Sequence, residues 1–351
     1  MNLKRIISYL FLLFFAFSVG IFILCLLLPN VANYLNFFVA SYPRAYFASL
    51  GALVGFSIFE ILVISLPLFI FLALLYINRA KGNRVASQRF VFLLSLMSIL
   101  PSSYICMIAV PSLSSSLIAF ESGEVESSDV ILAAKTLSVG VNELSDQGCR
   151  ELSYTFLSDE FSNVYEALFL EYGLPPHKLQ TVKPMYFSKA LSYTGALALY
   201  SPPTGEINIS TEIPDYMTPF TVAHEYAHCL GIAGEGDANI LAFVACERSE
   251  NPSVQYSARL FMLEYLLSDL YTMDKKMYIN VYNSLDDKVK SDIRAHAEYS
   301  KKYESSSAFR IFEGLNLAHV KIWDIDGANS YSATSLKFAY YLKITKNILC
   351  E

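Results

Sequence analysis

Residues 224–228 read His-Glu-Tyr-Ala-His, so two histidines lie four positions apart with a glutamate between them. Positions i and i+4 share one face of a helix, which lets His224 and His228 direct their imidazoles at one point. Glu225 then lies about 100° further around the helix. Two imidazole nitrogens at about 2.1 Å suit Zn²⁺, and a nearby carboxylate suits a base that deprotonates water. The motif predicts one zinc ion, with Glu225 as the general base.

A catalytic zinc site needs a third protein ligand, and the segment GIAGEGDAN (231–239) offers two. Its three glycines allow the chain to leave the first helix and reverse direction. Glu235 and Asn239 are again four apart, at the start of a second predicted helix. We expect Glu235 to be the third ligand and Asn239 to hydrogen-bond a ligand imidazole. Asp237 is the alternative third ligand.

The competing interpretation is that the two histidines are surface or packing residues on an ordinary helix. The chain has only five histidines, and two of them stand at ligand spacing with acids within ten residues. This concentration favours a metal site. His177, His296 and His319 each stand alone and are interpreted as ordinary residues.

The motif lies downstream of a strongly apolar region. The chain has 351 residues, of which 54% are hydrophobic and only 17% charged, below the roughly 25% charge of soluble domains. Three apolar runs, at about residues 6–28, 57–77 and 90–110, are long enough to cross a hydrocarbon core of about 30 Å as helices. The sequence therefore predicts a membrane anchor over residues 1–111 and a working domain over residues 112–351.

Charge predicts the orientation of this anchor. Residues 1–111 carry seven basic residues and one acid, Glu60, whereas the remainder has a net charge of −12. The basic residues lie before the first span, between the second and third spans, and singly at Arg44. The positive-inside rule then predicts a cytoplasmic N-terminus and an extracytoplasmic domain. A cleaved signal peptide is the alternative for the first apolar run. The acidic domain argues against nucleic-acid binding.

The domain reads as mostly helical, with a Ser-rich stalk over 112–127 and short strand-like pieces at VKPMYFS (182–188), TGALALY (194–200) and GEINIS (205–210). We expect an α+β fold with a small sheet. Glu60 is interpreted as a helix N-terminal carboxylate that reaches water at the outer interface. Four cysteines outside the spans permit three pairings or remain buried thiols: Cys149, Cys229, Cys246 and Cys350.

Several blocks around the motif resemble a bacterial family catalogued as domain of unknown function 3810. They are TGEINIS (204–210), PFTVAHEYAHCLGIAGEGDANILAFVAC (219–246), PSVQYSARLFMLEYLL (252–267) and DGANSY (326–331). Members of that family resemble this chain in having N-terminal membrane helices before an outward HExxH domain. The resemblance implies a zincin-like domain and marks Tyr331 as close to the site. The family often has a polar residue after the second histidine and a carboxylate at the third acidic position, and this chain has Cys229 and Asp237 at these two positions.

Substrate contacts are also predicted. In zincin-type peptidases an edge strand beside the motif helix commonly pairs with extended substrate. Gly205, Glu206, Ile207 and Asn208 are predicted to form that strand, with an ordinary hairpin strand as the alternative. Tyr256 and Tyr331 are candidate donors to the oxyanion formed at a peptide carbonyl.

Together these patterns predict a membrane-anchored, gluzincin-like zinc metallopeptidase whose partners are a peptide or protein substrate and the lipid bilayer. The alternative is a zinc-binding membrane protein without hydrolytic activity, such as a sensor, assembly factor or structural partner. A transporter is disfavoured because, apart from Glu60, the spans lack polar residues that would line a path.

Overall fold

The computed structural model describes residues 3–114, 125–146, 151–176, 182–311, 313–314 and 330–349, with side chains of the last helix given for 334–345. Most of the predicted stalk lies outside these ranges, as do four residues with predicted properties: Cys149, His177, His319 and Cys350. Within the described residues the four cysteines are free thiols, so no pairing forms between Cys229 and Cys246.

Three apolar stretches have the length and composition to cross a membrane, which confirms the predicted membrane spans. They are α1 (Leu3–Leu27), α4 (Ile58–Asn78) and the stretch Asn83–Ser112, with α2 (Pro29–Tyr34), a π-helical turn (Leu35–Val39) and α3 (Ser41–Gly51) between the first two. The third stretch comprises α5 (Asn83–Met97), α6 (Ile99–Tyr104), a π-helical turn (Ile105–Ala109) and α7 (Val110–Ser112). Many of their large apolar side chains are exposed, as lipid-facing surface requires.

The rest of the described chain is mostly helical, as predicted. Its helices are α8 (Ser127–Leu144), α9 (Tyr154–Glu171), α10 (Ser188–Ser192), α11 (Thr218–Cys229), α12 (Glu235–Glu247), α13 (Pro252–Met273), α14 (Lys275–Asn283), α15 (Asp287–Glu304) and α16 (Ser330–Leu349). Helix α13 packs against α8, α11, α12, α14 and α16 and supplies much of the core. Its apolar side chains, such as Leu260 and Leu266, are fully buried.

Three short strands form the predicted small sheet in the order β1-β3-β2. They are β1 (Val182–Pro184), β2 (Ala198–Ser201) and β3 (Glu206–Ile209). Strand β3 pairs in parallel with β1, with Val182 opposite Ile207, and antiparallel with β2, with Tyr200 opposite Ile207. The central position of β3 leaves β1 and β2 as the edges of the described sheet.

The prediction that residues 205–208 form a substrate-binding edge strand is therefore wrong. Glu206, Ile207 and Asn208 lie in β3, which is paired along both sides and buried throughout. A strand whose amides and carbonyls are already bonded on both sides offers none to an added peptide. Gly205 precedes β3 in the hairpin turn, at a φ of +67° that favours glycine.

These residues instead fasten the sheet to the start of the second span. A Cβ at position 205 would lie 2.2 Å from the amide nitrogen of Ala48, so glycine is required for α3 to pack on the hairpin. The carboxylate of Glu206 accepts hydrogen bonds from the amides of Ile58 (3.1 Å) and Phe59 (3.0 Å), at the N-terminus of α4. Ser57 Oγ donates to Asn208 Oδ1 at 2.6 Å.

A buried ion pair completes this junction. Lys183 Nζ lies 2.6 Å from Glu206 Oε1, and both side chains are almost fully buried. The same ammonium donates to the carbonyl oxygens of Gly51 (2.7 Å) and Phe56 (2.8 Å), just before α4. Each charge thus has several partners, which a buried ion pair needs to offset its desolvation.

Glu60 belongs to the same junction. Its carboxylate accepts hydrogen bonds from the amides of Tyr186 (2.9 Å) and Phe187 (2.7 Å), and the residue is only 8% exposed. The expectation that Glu60 reaches water is therefore wrong, because two protein amides satisfy it instead. Its own amide is capped by Ser57 Oγ at 3.0 Å, so its placement in the first helical turn is as predicted.

We predict that Glu206→Gln lowers the free energy of unfolding by about 3 kcal/mol, because the buried Lys183 ammonium loses its counter-charge. Thermal or denaturant unfolding of the full chain in detergent measures the change. Arg248→Met is the matched control, because it breaks a more exposed pair with Glu171 and should leave stability near that of wild type. Equal stability of Glu206→Gln and wild type would contradict a structural role for the pair.

Candidate metal centre

Helix α11 carries the motif and is held from several sides. Pro219 lies in its first turn, where a missing amide hydrogen leaves no helical bond unmade. The hydroxyl of Tyr165, on α9, donates to the carbonyl oxygen of Ala223 at 2.7 Å, and its ring stacks on Tyr226. The apolar side of α11 is buried in the core, which turns the histidine face toward the start of α12.

The two motif histidines meet as the spacing predicts. Their Nε2 atoms lie 2.9 Å apart, and both rings are largely but not fully buried. The Nδ1 atom of His224 is 2.8 Å from Asn239 Oδ1, and that of His228 is 2.7 Å from the carbonyl oxygen of Ile232. Because both partners are oxygen acceptors, each Nδ1 is assigned the hydrogen, which leaves the two Nε2 lone pairs facing one point.

Glu235 joins them from the first residue of α12. Its carboxylate oxygens lie 3.2 Å from His224 Nε2 and 3.7 Å from His228 Nε2. The three side chains offer ligand atoms that all lie within 4.8 Å of one another. The structure thus brings together the predicted third ligand and both histidines.

This donor set fits a zinc ion. Four ligands at about 2.1 Å in a tetrahedron stand roughly 3.4 Å from one another. The three separations among the Nε2 atoms and the carboxylate bracket that value. Two facing imidazole lone pairs repel one another unless a cation lies between them, which is either a proton on one Nε2 or a metal ion bound by both. The side chain of Glu235 is about half exposed, so solvent reaches the cluster from the side of α12.

The charges in the cluster are mutually stabilising. Burial acts to lower the pKa of His228, but the hydrogen bond and negative charge of Glu235 outweigh it and raise that pKa to about 9. Burial acts to raise the pKa of Glu235, whereas the two imidazoles hold it well below its usual range. The cluster therefore attracts positive charge, as a metal site must.

Glu225 lies beside the cluster and is only 8% exposed. Burial raises the pKa of its carboxyl, although the two imidazoles act in the opposite direction. The backbone amide of Tyr200 hydrogen-bonds to it. A carboxyl with a raised pKa, fixed next to a metal cluster, has the properties of a general base.

The alternative third ligand lies elsewhere. Asp237 forms an ion pair with Lys337 of α16, with Oδ1 at 3.1 Å from Nζ. It is not part of the cluster of metal-ligating atoms found among the described residues. Asn239, in contrast, lies where the spacing predicts, because its Oδ1 contacts a ligand imidazole.

The structure separates Tyr256 from the predicted oxyanion site. Its side chain is fully buried on α13, and its hydroxyl donates to Asp292 Oδ2 at 2.6 Å. A hydroxyl has one hydrogen, and this one is given to a carboxylate inside the core, so the prediction for Tyr256 is wrong. Tyr331 lies in α16, but its side chain is outside the described residues and its role stays a prediction.

Strand β2 is the sheet edge next to the metal cluster. Because the amide of Tyr200 bonds to Glu225, it points away from β3 and toward α11. Residues two apart in a strand direct their backbone groups to the same side, so the N–H and C=O groups of Ala198 also point away from β3. The sequence predicted a strand here but placed the substrate-binding edge at β3. The order of strands in a sheet cannot be read from the pattern of neighbouring residues.

Residues that follow the first span bond to the turn after the motif helix. The sequence did not predict this contact, because it shows only a single cation, Arg44, in this segment. Asn36 Nδ2 donates to the carbonyl oxygen of Gly231 (2.8 Å) and to Ser114 Oγ (2.9 Å). The guanidinium of Arg44 donates to Asn36 Oδ1, to the Asn36 carbonyl and to the Leu230 carbonyl at 3.2 Å. Arg44 is only 3% exposed, and burial lowers its pKa to about 10, so it stays charged.

We predict that Glu235→Gln weakens zinc binding more than Asn239→Ala does. Loss of a hydrogen-bond partner of a ligand typically weakens affinity about 10- to 100-fold, and loss of a ligand weakens it further. Competition with a chromophoric chelator measures both. Asp237→Asn is the matched control and should bind like wild type. Zinc loss in Asp237→Asn with retention in Glu235→Gln would transfer the ligand role to Asp237.

Comparison with known proteins identifies the family of this chain. A family model described as "Protein of unknown function (DUF3810)" matches residues 34–335, most of the chain. The match includes Asn36 and Arg44 as well as all the clustered residues. No curated protein and no solved structure matches the chain. The chain belongs to the DUF3810 family.

Proposed function

We propose that this protein is a membrane-anchored, zinc-dependent metallopeptidase that hydrolyses peptide bonds outside the cytoplasmic membrane. The observation that carries the proposal is the cluster of His224, His228 and Glu235 beside the buried carboxyl of Glu225. Three ligands with an open fourth position are typical of catalytic rather than structural zinc sites.

The residues divide the work of hydrolysis among them. His224, His228 and Glu235 would hold the metal, and the oxygen partners of the two Nδ1 atoms keep the imidazoles in the required tautomer. When bound, zinc supplies Lewis-acid chemistry that polarises a peptide carbonyl and makes water more acidic. Glu225 accepts the proton of the attacking water and delivers it to the leaving amine.

Substrate orientation is assigned to the edge strand beside the cluster. An extended peptide can add to β2 on the side opposite β3, where the outward peptide groups of Ala198 lie next to α11. Main-chain bonding of this kind is independent of side chains, so it positions the peptide without specifying its sequence. This replaces β3 as the proposed substrate strand.

The extracytoplasmic location is inferred from charge and connectivity. Three successive crossings would bring the end of α1, the start of α4 and the end of α7 to one side of the membrane, which supports the proposed location. Glu206 of β3 bonds the first turn of α4, and Asn36, which follows α2, bonds both Ser114, just after α7, and the turn after α11. Basic residues at the opposite ends predict that this opposite side is the cytoplasm.

We predict that Glu225→Gln keeps zinc and lowers kcat on a broad fluorogenic peptide library by at least about 10²-fold, because general base catalysis is lost. Elemental analysis and library cleavage measure the two properties on the same preparation. Glu171→Gln, at an exposed glutamate on α9, is the matched control and should cleave like wild type.

Identical library profiles for wild type and Glu225→Gln, with zinc present in both, would refute hydrolysis and favour a zinc-binding sensor or assembly protein. Absence of stoichiometric zinc in the purified wild type would refute the metal site itself.

A further inference from the structure

The metal cluster is fastened to the membrane spans at the end of its own helix. Asn36 Nδ2 is shared between the carbonyl oxygen of Gly231, three residues after His228, and Ser114 Oγ, two residues after the third span. One nitrogen thus joins the turn that follows the motif to the end of a membrane helix. The buried cation of Arg44 reinforces the same turn.

A second connection approaches the cluster from the sheet. The side chains of Glu206 and Asn208 bind the first residues of α4, and β3 pairs with β2. Strand β2 in turn hydrogen-bonds Glu225 through the amide of Tyr200. The general base and the metal ligands are therefore each linked to the end of a different span.

An exposed aromatic pair, Tyr186 and Phe187, lies beside the first turn of α4. Tyr186 is 88% exposed and Phe187 is 49% exposed, and their rings contact each other edge to face. Their amides bond to Glu60 in the first turn of α4, so the pair is fixed where that span begins. Aromatic residues concentrate at membrane–water interfaces, where part of the ring is apolar and its edge or hydroxyl is wet. The position and exposure of this pair fit immersion in the outer interface.

These links limit the distance between the metal cluster and the membrane surface. A residue advances the chain by at most about 3.5 Å, so the short path from His228 through Gly231, Asn36 and Ser114 keeps the ligands within roughly 25 Å of the end of the third span. An extended peptide covers that distance in about eight residues. Peptide bonds close to a membrane anchor can therefore reach the site, because Asn36 and Glu206 hold the domain at the ends of the spans.

We propose that the site acts on extended polypeptide segments within about ten residues of a membrane anchor, so that its substrates are membrane-tethered chains. The inference rests on the proposed peptidase function. The anchor of the substrate can be a transmembrane helix or an acyl chain, because either one presents an extended segment at the same height.

The test uses the full chain, loaded with zinc and reconstituted in phosphatidylethanolamine–phosphatidylglycerol vesicles. The probe is a library of random 30-residue peptides in three forms: free, joined to a palmitoyl chain, and joined to a Leu-Ala transmembrane helix. Mass spectrometry maps the bonds that are cut. We expect the cuts in the tethered libraries to fall within about ten residues of the anchor. In the free library the same mapping should show cuts spread along the peptide.

The outcomes separate the two proposals. Cuts near the anchor in only one tethered library identify which anchor type the site accepts. Equal cut distributions in the tethered and free libraries overturn the membrane-tethered substrate and leave the peptidase intact. No cleavage of any library, with zinc bound, overturns the peptidase and this inference with it.

A second measurement, which does not depend on hydrolysis, tests whether the aromatic pair is immersed in the membrane interface. Tyr186→Trp in a Trp323→Phe background carries one tryptophan at the aromatic pair, since Trp323 is the only native tryptophan. Lipids brominated near the headgroup end of their acyl chains should quench its fluorescence. Tyr271→Trp in the same background serves as the comparison, because this exposed residue is near the end of α13, outside the junction. Quenching at position 186 no greater than at position 271 would overturn immersion of the pair.

Discussion

The turn after the motif helix is the constraint on which the candidate metal centre and its attachment both depend. Gly231 has a φ of +93° in the turn that follows α11, which ends at Cys229, and this turn lets Ile232 offer its carbonyl to the His228 ring. A Cβ at this position would lie 2.3 Å from Asn36 Oδ1 and 2.8 Å from the Arg44 guanidinium. Only glycine therefore allows a buried amide and a buried cation to approach the turn and bond its carbonyls. One residue thus serves the helix end, the imidazole orientation and the contact with the membrane segment.

Much of the candidate metal centre was predictable because its residues are close together in the sequence. Helical spacing places His224 and His228 on one face, and the same spacing in α12 sets Glu235 near the imidazoles and Asn239 behind one of them. Glu235 and Asp237 are two residues apart, which turns them to different sides of a helix. The ion pair with Lys337, about a hundred residues later, is what commits Asp237 to the other side. No local pattern carries that information.

The parts that could not be predicted are those fixed by distant contacts. Short strands reveal their period but not their order, so the central position of β3 required knowledge of both partners. Tyr256 is one of many tyrosines in the sequence, and only its contact with Asp292 shows that its hydroxyl is used in the core. Arg44 reads as a single cation between two apolar runs. Its importance follows from burial beneath a turn that lies nearly two hundred positions further along the chain.

The spans are consequently more than an anchor. A charge removed from water must have fixed partners, and the partners of Lys183, Glu206 and Glu60 are distributed between the sheet region, the segment before α4 and the first residues of α4. The same holds for Arg44, whose acceptors come from the π-helical turn after α2 and from the residues after α11. Neither side of this junction satisfies its buried polar groups alone. Folding of the candidate metal centre and insertion of the spans are therefore linked, since each supplies hydrogen bonds to buried groups of the other.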